Sequence, residues 1–158
     1  SPVAPGNYSI IKDIVSDGIN GVVVDANIIA GWLFSSRNDV TVQNVEIKNW
    51  YGSGIFMEFS SNITVRNCQI HDLRSWTGRV GTRWYGLYWH EFNNFVAEGN
   101  DIYNNPGGGI QVYNGASGGD INGVIIHGNK LHNNNTIIVA STRSGDACGS
   151  KRSISVSR

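Results

Sequence analysis

Three side chains that can donate or accept protons recur at equivalent positions of successive segments. Glu58, His90 and Tyr113 each stand four residues after a glycine, inside a short run of alternating character. Side chains two residues apart on a strand share a face, so a second, mostly aromatic row is expected beside them. A carboxylate, an imidazole and a phenol in one row predict acid–base chemistry, and ordinary cross-strand pairing is the alternative. The two predicted outward rows are Ser36, Glu58, His90 and Tyr113, and Phe34, Phe56, Tyr88 and Gln111.

A long insertion next to these rows carries alternating arginines and aromatic residues. It spans 73–85, and a shorter insertion at 115–120 is placed to form an opposite wall. Arginine offers a planar fork for carboxylates, tryptophan offers a stacking face, and exposed aromatic patches mark interaction sites. The loop and the aromatic row therefore predict binding of an anionic sugar polymer, unless the tryptophans simply pack onto the domain. The loop residues concerned are Arg74, Trp76, Arg79, Arg83, Trp84 and Tyr85.

A repeated segment determines which elements position these side chains. The pattern Asn-x-x-Val-x-x-Asn-x-x-Ile returns at 38–49, 61–72, 93–104 and 121–133. A fixed unit separated by insertions of variable length is typical of a solenoid. The repeat aligns three inward columns, whose members are Val40, Ile63, Phe95 and Val124; Val42, Val65, Ala97 and Ile126; and Ile47, Ile70, Ile102 and Leu131.

The second half of each unit is a short run rich in β-branched and aromatic residues, usually led by glycine. Such runs predict strands with a period of two, and Ile55, Leu87 and Ile110 are expected to point inward. The prediction is an all-β parallel β-helix of about five to six turns, in which each turn stacks about 4.8 Å above the last. Asn100 and Asn129 share a corner column with Val45 and Cys68, so a partial asparagine stack is expected there.

The chain is predicted to be one domain over residues 1–158. Residues 1–17 are a possible N-terminal cap, in which 8–17 form either a short helix or a first strand. Turns are expected over 18–140, beginning with Val22, Val24 and Ile28, and 141–158 is expected to be an irregular tail. Because no strong C-terminal cap is visible, we expect either a longer solenoid or end-to-end contact with another molecule.

Composition excludes several classes of partner. The formal net charge is zero, which argues against a nucleic-acid or anionic-membrane binder, and no apolar run approaches the length of a membrane span. No signal-peptide pattern is seen.

Cys68 is expected to be a small buried residue rather than half of a disulfide with Cys148. No metal site is predicted, although calcium is possible at Asp72, Asp101 and Asp120; His71, His127 and His132 are expected at corners or on the surface.

The repeats resemble those of the pectate-lyase-like superfamily of right-handed parallel β-helices over residues 18–140. One segment, 85–91, also resembles the Tyr-Gly-Phe-Asp-Pro-His-Glu motif of alginate C5-epimerases. Tyr85, Gly86, His90 and Glu91 match that motif, while tyrosine at 88 and tryptophan at 89 replace its aspartate and proline. The resemblance implies a carbohydrate-active protein that is secreted or held at the cell surface.

Lyases and epimerases of acidic polysaccharides share one chemistry, and this chain offers candidates for each part of it. His90 is the expected base, with Tyr113 or Tyr88 as the acid. Gln111, Glu58 or Arg83 would neutralise the sugar carboxylate. A non-catalytic glycan-binding or assembly module is the alternative. A glycoside hydrolase using Glu58 and Glu91 is the third interpretation, weakened because Glu91 follows His90 directly and should point to the other face.

Overall fold

The computed structural model describes residues 9–17, 30–75, 84–114, 122–135, 138–142 and 154–157. These residues form β-strands joined by corners and contain no helix, and thus no helical membrane span. The strands are β1 (Ser9–Lys12), β2 (Val15–Asp17), β3 (Ala30–Ser35), β4 (Asn38–Gln43), β5 (Glu46–Lys48), β6 (Ser53–Arg66), β7 (Gln69–His71), β8 (Tyr85–Glu98), β9 (Asp101–Tyr103), β10 (Gly108–Asn114), β11 (Asn122–His127), β12 (Lys130–His132), β13 (Ile138–Thr142) and β14 (Ile154–Ser157).

Each turn of the chain passes through three strand positions, which stack into three faces. The first face holds β3, the first halves of β6 and β8, β10 and β13. The second face holds β1, β4, the second halves of β6 and β8, β11 and β14. The third face holds β2, β5, β7, β9 and β12. All of these pairings are parallel, so the predicted solenoid of about five to six turns is confirmed.

The core is formed by the inward columns that the repeat predicts. Ile47, Ile70 and Ile102 occupy successive partner positions of the third face and are 0% exposed. The equivalent residues of the first face, Ile55 and Leu87, are also fully buried. Because each apolar side chain packs on its counterpart in the next turn, the columns form one continuous core. Burying each such side chain contributes about 1.5–3 kcal/mol.

The predicted register of the earliest first-face strand is wrong by one residue. Leu33 pairs with Phe56, Phe34 with Met57, and Ser35 with Glu58. Phe34 therefore belongs to the inward side and packs against the core, while Leu33 and Ser35 take the outward positions given to Phe34 and Ser36. Gly31 lies opposite Gly54, the glycine that leads the next strand, so counting from Gly31 would have given the correct register. A side chain at Gly31 would approach the Gly54 carbonyl oxygen to 3.0 Å.

Corners explain the abundance of asparagine and glycine. At the corner between the second and third faces, Asn44, Asn67, Gly99 and Gly128 all adopt positive φ values, between 52° and 62°. This left-handed backbone is accessible to glycine and tolerated by asparagine, whereas most other residues would be strained. The same corner geometry repeats between the third and first faces, where the positive-φ residues are Asn49, Asp72, Asn104 and Asn133.

The partial asparagine stack is confirmed. Asn100 is 1% exposed, donates from Nδ2 to Asn129 Oδ1 at 2.8 Å, and accepts at Oδ1 from the Cys68 backbone N at 2.9 Å. Asn105 and Asn134 make an equivalent ladder at the other corner of the third face. Cys68 is a free, buried thiol, as expected, and burial raises its pKa. Cys148 lies outside the part of the chain that the structure describes.

The structure decides between the two alternatives for the N-terminal end and corrects the expectation for the C-terminal end. Of the helix and the strand considered for 8–17, the strand is found, because residues 9–12 and 15–17 form β1 and β2, pair with β4 and β5, and continue the solenoid. Residues 154–157, placed in the irregular tail, form β14 and pair with β11. Their alternation of serine with isoleucine and valine is the period-two signal that predicts a strand. The expected first turn on Val22, Val24 and Ile28 is not among the described residues.

Candidate functional site

The outer surface of the first face brings the predicted acid–base residues together. Ser35, Glu58, His90 and Tyr113 are successive partners across β3, β6, β8 and β10. Neighbouring backbone positions in such a row are about 4.8 Å apart. The His90 ring stacks on the Tyr113 ring, with 5.2 Å between centroids and an interplanar angle of 13°. Glu58, His90 and Tyr113 are all half-buried, so each side chain retains access to solvent.

The adjoining aromatic row is a packed support and not an open stacking surface. Phe56 and Tyr88 are partners, and their rings stack with centroids 4.8 Å apart. They are 7% and 4% exposed, and Tyr85, which stacks on Tyr88, is 6% exposed. Burial raises the pKa of Tyr85. The expectation that Phe56 and Tyr88 present exposed faces is therefore wrong, because the aromatic rings bury one another.

Phe59 is the residue of this surface that the sequence interpretation missed. It lies inside β6 with φ = 49°, a left-handed backbone, and is 56% exposed. Its ring centroid is 6.2 Å from that of His90, at an angle of 57°. Alternation would place Phe59 on the inward side, directly after the outward-facing Glu58, so the sequence carried no signal that its ring is exposed.

The described part of the arginine-rich insertion, 73–75 and 84–85, contacts the coil. Arg74 donates from Nε to the Asn49 carbonyl oxygen at 2.7 Å, and its guanidinium lies 4.1 Å from the centre of the Tyr51 ring. These contacts tie Arg74 to a neighbouring turn, next to the corner that precedes the first face. Trp84 is half-buried, and its carbonyl accepts a hydrogen bond from Gly107 N at 2.9 Å. Trp76, Arg79 and Arg83 lie outside the described ranges, so their substrate-binding role stays a prediction.

A second row of rings follows the outer side of the third face. The His71 ring stacks on Tyr103 at 4.5 Å, and Tyr103 stacks on His132 at 4.9 Å. His71 is 7% exposed and bridges two carboxylates, with Nε2 3.1 Å from Glu46 Oε1 and Nδ1 2.7 Å from Asp72 Oδ2. The sequence carried a signal for this stack, because each ring directly follows an inward residue of the column that contains Ile70, Ile102 and Leu131.

The acidic groups of this third-face stack are held by hydrogen bonds. A bond from Lys48, with a further one from His71, lowers the pKa of Glu46 against the opposing effect of partial burial. Bonds from His71 and Asn104 lower the pKa of Asp72. Asp101 Oδ1 and His132 Nε2 are hydrogen-bonded at 2.8 Å. Asp72 and Asp101 are thus engaged with partners, and the described residues contain no cluster of three or more candidate metal ligands. Asp120, the third expected calcium ligand, falls in a range not described.

Comparison with known proteins bears on the fold. A family model described as "right handed beta helix region" matches residues 13–152. No curated protein and no solved structure gave a match to the chain. The family match spans the three stacked faces and confirms the handedness expected from the repeats. The chain therefore belongs to the family of right-handed β-helix proteins.

Proposed function

We propose that this protein cleaves an acidic polysaccharide by β-elimination on the first face. The observation that carries the proposal is the adjacency of His90 and Tyr113 on the same outer surface, with ring centroids 5.2 Å apart. In an elimination, a base removes a proton while an acid next to it protonates the leaving oxygen. Gln111 stands two residues before Tyr113 on the same outward side of β10, so an amide that can donate to a carboxylate lies close to the pair.

The reaction follows from these positions. His90 takes the proton from C5 of a uronic acid unit, and the electrons of that C–H bond form a double bond between C4 and C5. The bond from C4 to the glycosidic oxygen breaks, and Tyr113 gives its phenolic proton to that oxygen. Gln111 donates a hydrogen bond to the uronate carboxylate, whose negative charge grows as the C5 proton leaves. Proton return from His90 to its neighbour Tyr113 completes the cycle.

Tyr113 is a better acid than Tyr88 in this arrangement. The ring of Tyr88 is 4% exposed and stacks against Phe56 and Tyr85, in the row beside His90. Tyr113 is half-buried and its ring stacks on that of His90 from the next turn. A proton donor has to reach the leaving oxygen of a bound polymer, and only the more accessible phenol satisfies that requirement.

The same surface supports elimination better than epimerisation. Epimerisation at C5 removes a proton from one side of the sugar ring and returns one to the other side. His90 and Tyr113 project from a single face of one sheet, so both approach a bound sugar from the same side. An epimerase would need a further donor from beyond this sheet. The resemblance of 85–91 to the C5-epimerase motif keeps epimerisation as the related alternative.

The test is a panel of polyuronates, including alginate, pectate and glucuronan. We expect one of them to give unsaturated products that absorb in the ultraviolet. His90→Ala and Tyr113→Phe should each lower the rate by about 100-fold to 10,000-fold, the usual contribution of a general acid or base. Exchange of deuterium into C5 without ultraviolet absorbance would instead indicate epimerisation.

The matched control is His127→Ala, which removes a histidine from the second face. His127 is 44% exposed at its side chain and pairs with Glu98 at 3.0 Å, and it lies outside the first-face row. We expect this variant to keep its activity. If His90→Ala retains full activity on a substrate that the protein cleaves, the assignment of the base is wrong. If no polyuronate is cleaved or epimerised, the catalytic proposal is wrong.

A non-catalytic glycan-binding module is the second candidate, and the exposed ring of Phe59 favours it. Binding of an acidic glycan without any product would support that candidate. The hydrolase interpretation is weaker, because Glu58 is the only carboxylate of the Glu58–His90–Tyr113 row, whereas hydrolysis uses two carboxyl groups flanking the bond. Either carbohydrate function fits a secreted or cell-surface protein whose partner is an extracellular acidic polysaccharide.

A further inference from the structure

Phe59 occupies a position that the fold does not favour for an aromatic side chain. Its φ of 49° places it in the left-handed region, where a bulky residue is an outlier. Its counterpart in the preceding turn is the small polar Ser36, with φ = 54°. Phe59 is 56% exposed, so burial of its ring stabilises the fold less than burial of a core residue would. Strained residues that persist in this way tend to cluster at functional sites.

A cation lies at the same corner, one turn below. Arg37 follows Ser36, and its side chain is exposed. Its backbone is fixed on both sides, because Arg37 N donates to Ser60 Oγ at 3.1 Å and the Arg37 carbonyl accepts from Ser61 N at 3.3 Å. Ser60 and Ser61 directly follow Phe59, so the arginine and the ring belong to adjoining turns about 4.8 Å apart.

We propose that Phe59 and Arg37 form a subsite for one negatively charged sugar unit next to the catalytic row. The apolar face of the sugar ring stacks on Phe59, and the uronate carboxylate pairs with the guanidinium of Arg37. An exposed ring combined with an arginine fork matches a ligand that is apolar on one face and anionic at its edge. This inference rests on the polyuronate class of substrate named above.

The subsite borders the catalytic residues without taking part in the chemistry. The Phe59 ring lies 6.2 Å from the His90 ring, on the face of the sheet that carries Glu58. A sugar stacked on Phe59 therefore adjoins the unit at His90. Its contribution is the same before and after proton transfer, so it should change KM more than kcat.

The decisive variant is Phe59→Asn, measured by titration calorimetry with a saturated oligouronide in the Tyr113→Phe background, which limits cleavage during the titration. Asparagine tolerates the left-handed backbone, so the relief of strain offsets the loss of partial packing. We expect the melting temperature to stay within about 4 °C of the unchanged protein, the shift that corresponds to about 1 kcal/mol for a chain of this size. We expect affinity for the oligouronide to fall at least about tenfold.

Arg37→Gln tests the charged half of the subsite. We expect a similar loss of affinity, and the difference from the unchanged protein should shrink as salt is raised, because the pairing is ionic. Two control substitutions probe comparable groups on the second face. Ile125→Thr alters an exposed apolar residue at 43% exposure, and Lys12→Gln removes a cation whose side chain is 58% exposed. Both should leave oligouronide affinity unchanged.

The outcomes separate this inference from the catalytic proposal. If a polyuronate is cleaved but Phe59→Asn has unchanged affinity and KM, the subsite is wrong and the catalytic assignment stands. If an oligouronide binds in a Phe59-dependent manner but no product forms, the subsite stands and catalysis at His90 is wrong. Equal losses of affinity in the variants and both controls would also overturn the subsite, since they would indicate nonspecific binding.

Discussion

Truncation of Asn100 should destabilise this protein more than its single polar side chain suggests. Asn100 is 1% exposed and sits at the corner that links the turn carrying His90 to the turn carrying Tyr113. Its Oδ1 accepts from Cys68 N at 2.9 Å, and its Nδ2 donates to the Val65 carbonyl at 3.0 Å and to Asn129 Oδ1 at 2.8 Å. Asn100→Ala removes all three bonds.

The cost follows from what is left behind. The backbone N–H of Cys68 and the carbonyl of Val65 lose a partner in the interior, and each unsatisfied buried group costs about 1–3 kcal/mol. Asn129 Oδ1 keeps a partner, because it also accepts from the Asn100 backbone N at 3.0 Å. We therefore expect the free energy of unfolding to fall by about 2–6 kcal/mol, which lowers the melting temperature by at least about 4 °C.

Asn38→Ala is the matched control. Asn38 Oδ1 accepts from the Ser61 backbone N at 2.9 Å, the same chemistry and length as the bond to Cys68, but at an exposed site. Water can replace it, so the expected loss is below about 1 kcal/mol. Urea unfolding of both variants, followed by tryptophan fluorescence, measures the difference. Equal losses for the two variants, or a loss below about 1 kcal/mol for Asn100→Ala, would refute the argument that burial determines the cost.

Further predictions concern the third-face stack and two glycines, Gly86 and Gly128. Folding lowers the pKa of Glu46 from its usual 4.5 and that of Asp72 from its usual 3.8. These carboxylates therefore stabilise the fold above their usual pKa values, and that contribution is lost as the pH falls through the lower folded values. His71→Gln should therefore reduce the acid sensitivity of urea unfolding, but not abolish it, because Lys48 still bonds to one carboxylate; an unchanged pH profile would contradict this. Gly86→Ala places a methyl group against the Ile102 side chain and 2.9 Å from a backbone carbonyl, and should cost about 1–3 kcal/mol. Gly128→Asn, at a left-handed position with more space, should cost less than about 1 kcal/mol, and a larger loss than that of Gly86→Ala would contradict the steric reasoning.

The Glu58–His90–Tyr113 row could be predicted because it depends on the same alternation as the core. Once Ile55 and Leu87 are assigned to the inside of the first face, Glu58 and His90 must face outward three residues later, and the parallel register places them on adjoining turns. The error at Phe34 shows the limit of this logic. A shift of one residue in a strand moves every side chain to the opposite face, so a single misplaced segment reverses its whole assignment.

The exposure of the aromatic rings could not be read from alternation. Phe56 and Tyr88 take the outward positions expected for them, but they are buried by each other and by Tyr85. Phe59 is exposed because of a left-handed backbone, although bulky residues rarely adopt that conformation. Both properties depend on how rings from different turns meet, and no local pattern in one segment contains that information.

The amino-acid sequence by itself determined the coil, its inward columns and the outward order of Glu58, His90 and Tyr113. It could do so because every turn must bury the same apolar positions against the next, and this requirement is written into each repeat. Only the tertiary structure decided which outward rings stay accessible, and that β1, β2 and β14 extend the coil. Accessibility and end pairing depend on contacts between segments distant in the chain, which the period of a single segment does not specify.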